Sequence, residues 1–376
     1  MNKKKIVFLT GTRADFGKLK SLITITQESN EYEVHIFVTG MHMIAQYGKT
    51  INEIYKSGFK NIYPFINHDD ITHMDRNLAK TIDGFSHFIS EIEPDLIVVH
   101  GDRIEAMSSA IVGSLNNILV AHVEGGEVSG TIDELIRHSV SKLSHIHLTS
   151  NDEAKRRLVQ MGEYENTIFT IGSPDLDIMN SNTLSSLDFI KDYYKITFTE
   201  YAIVMFHPVT TEVDKLKKQV EIFVDSLIDS KFNYIVIYPN NDLGSDLIFN
   251  EYKRFENNKR FKVFPSLRFE YFLVFLKNSK FMIGNSSAGL REAPYYQIPT
   301  VNVGNRQNNR VKSENIINID FIKSEILDSI EKSITMEKKI NDVDFGNGES
   351  DKLFFELLQD DKIWTVSNQK QFQDLN

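Results

Sequence analysis

The chain has 376 residues, 41% hydrophobic and 25% charged, a balance that favours two globular domains over a fibrous or disordered chain. A formal net charge of −10 argues against nucleic acid and anionic membranes as partners, so an anionic ligand would need local arginines to overcome the global field. With no cysteine there are no disulfides or thiolate metal sites, and no apolar run approaches a bilayer span, so a cytoplasmic protein is expected.

Short apolar runs read as strands at Ile6–Thr10, Val34–Thr39, Leu96–His100, Ile118–His122, His145–Thr149 and Thr167–Ile171. Helical patterns such as Ile104–Leu115 and Asp152–Met161 fill the gaps. This alternation implies βαβ units and a parallel sheet covered on both faces. The rhythm loosens from Ser173-Pro174 to about Tyr201, which marks the domain join. A second series follows at Ala202–Phe206, Tyr234–Tyr238, Phe261–Phe264, Phe281–Ile283 and Thr300–Val303. The expected fold is α/β, two Rossmann-like doubly wound domains facing a central cleft, with ligands beyond the carboxyl ends of the strands. The first domain is expected to cover residues 1–174 and the second 175–359. The stretch Phe354 to Phe372, with the single tryptophan Trp364, is read as a helix at about 360–376 crossing back to the first domain.

The unusual residues gather at those strand ends. Gly11-Thr-Arg-Ala-Asp-Phe-Gly17 lacks the glycine spacing of a dinucleotide fingerprint, which weakens a nicotinamide-dehydrogenase reading. Arg13 suits a phosphate, or is a surface arginine with Asp15 as an ordinary N-cap. In His100-Gly-Asp-Arg103, Asp102 either caps the helix beginning near Ile104 or serves chemistry, with Arg103 keeping its carboxyl ionised. His122-Val-Glu-Gly-Gly-Glu127 is harder to explain as structure. A histidine and a carboxylate two residues apart face one side of a strand, and the glycine pair permits close approach by a substrate. Thr131 and Glu134 make a capping box, which leaves Asp133 over in the first turn, where Arg137 can pair with it. His138, His145 and His147 have no carboxylate set at ligand spacing, so no metal site is expected. His207, stopped by Pro208 at a strand end, is left to face a ligand.

Gly284-Asn-Ser-Ser-Ala-Gly-Leu-Arg-Glu292 follows an apolar strand and is expected to open a helix that stops near Pro299. Free amides and the helix dipole there make an anion site, and Glu292 in the first turn suits the hydroxyl pair of a ribose. The second half is therefore expected to hold a nucleotide. Arg268 to Leu276 reads as an amphipathic helix whose aromatic start could stack on a base.

Nine segments combine into one pattern. They are GTRADFGKL at 11–19, TGMHMIAQYG at 39–48, HGDR at 100–103, HVEGGEVSGTIDELIRHSVSKLSHIHL at 122–148 and GSPDLD at 172–177. FHPVTTE at 206–212, YPNND at 238–242, GNSSAGLREAP at 284–294 and GNRQNNR at 304–310 complete the set. Together they resemble the hydrolysing UDP-N-acetylglucosamine 2-epimerases of sialic acid biosynthesis, over nearly the whole chain. Non-hydrolysing bacterial 2-epimerases differ in the opening motif and after the histidine-valine-glutamate, and this chain sides with the hydrolysing group at both.

The resemblance implies a GT-B type fold and the conversion of UDP-N-acetylglucosamine and water to N-acetylmannosamine and UDP. The route it implies is loss of UDP to a 2-acetamidoglucal, then addition of water with the opposite C2 configuration. No cofactor is implied. Position by position, Asp102, Glu124 and Asp133 match the family's catalytic acids. Arg13, Arg103, His207, Ser286 and Ser287 would hold the diphosphate, with Arg306 a further ligand for the anionic end. Glu292 would take the ribose hydroxyls and Phe272 would lie against uracil. His42 and Asn240, inside matching motifs, join the substrate-binding set. A homodimer or homotetramer would resemble the family. Three alternatives remain at this stage: the same chemistry on a UDP-diacetamido-trideoxy sugar of the legionaminic acid pathway, a GT-B glycosyltransferase, and a nucleotide-sugar sensor without turnover.

Overall fold

β-Branched and aromatic residues fill the predicted strand runs, and the inner strands are largely buried on both faces, which is what a parallel sheet between helical layers requires. The computed structural model describes residues 3–68, 73–130, 132–182, 184–307, 313–337 and 345–374. Among the described residues the first sheet holds β1 (Lys4–Thr10), β2 (Tyr32–Val38), β3 (Ile62–Pro64), β4 (Leu96–His100), β5 (Leu119–Val123), β6 (Ile146–Thr149) and β7 (Ile168–Thr170). Their order is β3-β2-β1-β4-β5-β6-β7, and every neighbouring pair is parallel. Its helices are α1 (Arg13–Glu28), α2 (Ile51–Lys56), α3 (Met74–Ile92), α4 (Ile104–Leu115), α5 (Ile132–Leu143), α6 (Asp152–Gln160) and α7 (Asp175–Met179).

The second sheet holds β8 (Ala202–Met205), β9 (Tyr234–Ile237), β10 (Phe261–Phe264), β11 (Met282–Gly284), β12 (Thr300–Val303) and β13 (Ile316–Ile319). It runs β10-β9-β8-β11-β12-β13, again with all pairs parallel. Its helices are α8 (Leu187–Tyr194), α9 (Val213–Asp229), α10 (Ser245–Tyr252), α11 (Phe269–Lys277), α12 (Glu292–Tyr295) and α13 (Lys323–Thr335), and the chain then forms α14 (Ser350–Gln359). Both sheets reverse their strand order beside the first strand of the series, as doubly wound sheets do. Such switch points are where these folds bind ligands.

The chain divides into two compact units, Met1–Asn182 with Asp344–Asn376, and Thr183–Val343. This moves both expected boundaries, 174/175 and about 360. α7 and α14 belong to the first unit because their apolar faces are spent there. Phe354, Leu357 and Leu358 of α14 share a core cluster with Leu19, Leu22 and Ile23 of α1. The helix expected at about 360–376 is not found among the described residues of that stretch. After α14 comes a 3-10 turn at Asp361–Thr365, where the Trp364 indole donates to the Leu358 carbonyl (2.8 Å) and stacks on Tyr32. Beyond it the chain lies extended. Lys370 donates there to the carbonyls of Ser141, Lys142 and Ser144 at the end of α5, and to Glu163. An ammonium at a helix C-terminus meets both the orphan carbonyls and the negative end of the dipole.

Candidate active site

At the carboxyl end of β1, Thr12 caps α1. Its hydroxyl accepts from the Asp15 amide (3.2 Å) and the Asp15 carboxylate accepts from the Thr12 amide (3.0 Å). Asp15 is thus the third helical residue of a capping box, not the N-cap. Arg13, in the first turn of α1, pairs with Glu53 of α2. His42 is 0% exposed, and its ring nitrogens meet the hydroxyls of Thr10 (2.9 Å) and Thr50 (2.6 Å), so it ties the end of β1 to the start of α2.

Glu124 follows β5 directly and stands in the left-handed region at φ 62°, a conformation that costs energy for any residue but glycine. The turn throws its side chain off the strand end into a polar nest while leaving it only 2% exposed. Oε1 accepts from the Ser173 hydroxyl at 2.5 Å and lies 3.3 Å from Lys18 Nζ, which also stands 3.4 Å from Asp175 Oδ2. His100 Nε2 lies 3.1 Å from Oε2. A buried carboxylate is tolerable only with such partners. The glycine pair that follows serves packing, not substrate access: at Gly126 (φ 78°) a Cβ would fall 2.2 Å from the Ala154 carbonyl oxygen.

Asp102 does not cap α4, whose N-cap is Arg103 without a side-chain bond. Its Oδ2 instead accepts from the Ser129 hydroxyl (2.7 Å) and from the Arg137 guanidinium. Arg103 Nε lies 3.6 Å from Glu105 Oε2, and α5 supplies a cation, Arg137, that grips Asp102. Arg137 also donates to the Glu124 carbonyl (2.5 Å) and to Ser129 Oγ (2.9 Å). One guanidinium therefore ties two of the three expected acids together through its rigid fork. Asp133 sits half-buried in the first turn of α5, one turn before Arg137. The predicted capping box is only partly visible, because Thr131 lies outside the described residues; Glu134 accepts from the Ser129 amide (2.5 Å).

His122 underlies this arrangement. Its Nε2 donates to the Gly101 carbonyl (2.8 Å) and its Nδ1 meets the Ser141 hydroxyl (3.1 Å), linking the Asp102 loop to α5. Burial, reinforced by the charge of Arg137, lowers its pKa to about 3. Burial likewise lowers His42 to about 4, against a smaller opposing pull from Asp15. Both rings are neutral when folded, and the unfolded chain binds their protons below the ordinary value of 6.5. Their stabilisation is complete above pH 6.5 and is lost as pH falls towards 4 and then 3. For each ring, unfolding free energy should drop by up to about 1.4 kcal/mol per pH unit in that window. Urea titrations of His42→Gln between pH 6.5 and 5 should show a shallower slope than wild type; an equal slope contradicts this assignment.

In the second unit, Gly284 ends β11 at φ 139°, with a would-be Cβ only 2.0 Å from the Met205 carbonyl oxygen. Asn285 then laces the strand ends. Its Oδ1 accepts from the His207 amide (2.7 Å) and its Nδ2 donates to the His207 carbonyl (2.8 Å). Its own carbonyl accepts from Arg306 Nη1 (3.3 Å) and Gln307 Nε2 (2.9 Å). His207 Nδ1 accepts from the Asn240 amide (3.0 Å), which puts the hydrogen of the neutral ring on Nε2. His207, Asn240, Ser286 and Arg306 are thus brought together by one asparagine or its neighbour. The helix expected to open in this run, with Glu292 in its first turn, and to stop near Pro299 is replaced by a 3-10 turn at Ser287–Gly289, capped by Ser286, and the single-turn α12 opening at Glu292. Pro294 lacks the amide that a continuous helix would bond to Leu290. So short an element has little dipole, and any anion here must be held by amides and side chains. Phe272 is only 6% exposed on the inner face of α11, so just an edge of its ring borders solvent. Residues 308–310 of the GNRQNNR segment lie outside the described residues.

Several of these partners escaped the sequence reading: Lys18, His100, Ser129, Ser173, Asp175 and Asn285. Lys18 left a signal, because it falls four residues before Leu22 and three after Asp15 on the buried stripe of α1. Serines 129 and 173 left none, since a serine in a loop reads as a turn-former.

A family model described as UDP-N-acetylglucosamine 2-epimerase matches residues 25–359. A UDP-N-acetylglucosamine 2-epimerase of Neisseria meningitidis is 47% identical, covering 99% of this chain and 100% of its own length. A UDP-N,N'-diacetylbacillosamine 2-epimerase (hydrolyzing) of Legionella pneumophila is 34% identical, over 95% of this chain and 96% of that one. Among solved structures, the Methanocaldococcus jannaschii UDP-GlcNAc 2-epimerase in complex with UDP-GlcNAc and UDP superposes with a TM-score of 0.80 at 20% identity. It covers 94% of this chain and 99% of that one, a likeness of fold.

Proposed function

The chain belongs to the UDP-N-acetylglucosamine 2-epimerase family, and from that premise we propose that it hydrolyses UDP-N-acetylglucosamine to N-acetylmannosamine and UDP. The observation that carries this reading is the pair Glu124 and Asp102, at adjacent strand ends, tied by Arg137 through the Asp102 carboxylate and the main-chain carbonyl of Glu124. Departure of UDP builds positive charge at the anomeric carbon, which a fixed carboxylate stabilises. Removing the C2 proton and returning one to the other face needs groups that hold and release protons at set positions. Asp102, Glu124 and Asp133 are assigned to these tasks as a set, because interacting carboxylates titrate together. In the second unit His207 Nε2, Ser286, Ser287, Asn240 and Arg306 are assigned to the diphosphate and Glu292 to the ribose; in the first unit Arg13 and Arg103 are assigned to anion binding. Among the described residues no helix is long and apolar enough to cross a membrane, which supports a cytoplasmic site of action. A homodimer or homotetramer is the assembly proposed, to be weighed by light scattering.

Incubation with UDP-N-acetylglucosamine in D2O, followed by NMR, should give UDP and N-acetylmannosamine carrying deuterium at C2. No sugar product would sink the assignment. The Legionella relative supports a second reading, the same chemistry on a UDP-diacetamido sugar. Presenting both sugars decides, by which one has the larger kcat/KM.

A further inference from the structure

The segment Gly172-Ser-Pro-Asp175 carries two side chains that the assigned chemistry leaves without a role, and both converge on the Glu124 nest. We propose that Ser173 and Asp175 are positioning residues that act on Glu124 in opposite senses, Ser173 favouring its carboxylate and Asp175 opposing it by drawing on Lys18. The proposal rests on the epimerase reading above, and deepens it.

The geometry gives each residue its sign. Ser173 is wholly buried and its hydroxyl donates to Glu124 Oε1 at 2.5 Å, a bond available only to an oxygen with a lone pair facing it. Such a bond from a neutral donor to a carboxylate stabilises the charged form. Lys18 Nζ sits 3.3 Å from Glu124 Oε1 and 3.4 Å from Asp175 Oδ2, so one ammonium serves two buried carboxylates. The trio keeps one negative charge in excess. Asp175 therefore divides the attraction of Lys18 and adds its own repulsion, both of which make Glu124 easier to protonate.

The other groups facing Glu124 do not reproduce this opposition. His100 Nε2 lies 3.1 Å from Oε2, and Arg137 bonds the Glu124 backbone carbonyl while gripping Asp102. Neither contact changes in Ser173→Ala or Asp175→Asn. The segment is also fixed in place, because the Ser173 amide donates to the Phe345 carbonyl (2.7 Å) and Asp177, in the same α7, accepts from the amides of Ser350 (2.8 Å) and Asp351 (3.0 Å). A serine and an aspartate two residues apart are thereby aimed at one carboxylate and its cation from a braced turn.

The test is the titration of Glu124 itself in the full-length protein without ligand. Carboxyl-13C-labelled glutamate gives the signal, identified by its loss in Glu124→Gln. Ser173→Ala should move the midpoint up by roughly one unit and Asp175→Asn should move it down by roughly one unit. The pH limb of kcat/KM that follows Glu124 should shift with it in each variant, and Ser173→Thr should restore the wild-type midpoint. Shifts in the same direction, or a midpoint unmoved in Asp175→Asn, overturn the proposal. If Ser173→Ala does not fold, Ser173→Cys replaces it, with a smaller upward shift expected from its weaker donor. Because the titration is read without turnover, an enzyme inactive on every UDP-sugar but showing opposite shifts would fail the functional reading and leave this one standing.

Discussion

Replacing Glu124 by Gln is expected to lower kcat roughly 10²–10⁴-fold while UDP still binds, because the variant keeps the shape of the side chain and loses its proton chemistry. The strained backbone at φ 62° accepts glutamine as readily as glutamate, so the turn that aims the side chain survives. The Ser173 hydroxyl can still donate to the amide oxygen. Lys18 then faces Asp175 with no second carboxylate, which leaves the nest folded. UDP affinity, measured by calorimetry, should be unchanged because its proposed contacts lie elsewhere. A variant that kept most of its rate in the deuterium-exchange assay would remove Glu124 from the chemistry.

Arg137→Met is expected to combine the largest stability loss with a fall in turnover. The guanidinium is 3% exposed and satisfies Asp102, the Glu124 carbonyl and Ser129 at once. Removing it takes the guanidinium from Asp102, which keeps the Ser129 hydroxyl, and from the buried Glu124 carbonyl; loss of one partner typically costs about 3–5 kcal/mol for a fully buried pair. The Asp102 side chain is 23% exposed and water recovers part of that, so a loss of roughly 2–3 kcal/mol is expected. Trp364 is the single tryptophan and belongs to the first unit, so its fluorescence during urea unfolding follows the relevant transition. Arg137→Lys keeps the charge without the fork and should fall between the two. A Met variant within about 0.5 kcal/mol of wild type would show that Arg137 carries no structural weight, since that is the scatter of neutral surface substitutions.

Strands buried on both faces were legible because nothing else in a globular chain reads as an unbroken run of Ile, Val, Leu and Phe between turns. Leu96–His100 was bounded to the residue. The missed strands, β3 and β13, are the opposite case. Both are edge strands, and Ile62-Tyr-Pro64 and Ile316-Ile-Asn-Ile319 are largely half-exposed, so their patterns carry little periodicity. The boundary falls inside the expected join, but the cut at 174/175 came early for a related reason: Gly172-Ser-Pro-Asp175 has linker composition, yet Ser173 and Asp175 are buried by contacts far away in sequence. At the site, Glu124 and Asp102 stood out because strand ends and glycines advertise them. Their partners Lys18, Ser129 and Ser173 come from other elements, and no local pattern records which side chains a fold will bring within 3.4 Å.

The first unit has a consequence for how this protein is made. Phe354, Leu357, Leu358 and Ile363 complete the hydrophobic layer over α1, but the ribosome supplies them only after the entire second unit has been translated. A nascent chain paused at Asn182 would leave Leu19, Leu22 and Ile23 partly uncovered. The amino-terminal half must therefore wait, incompletely sealed, for a segment synthesised more than 160 residues later.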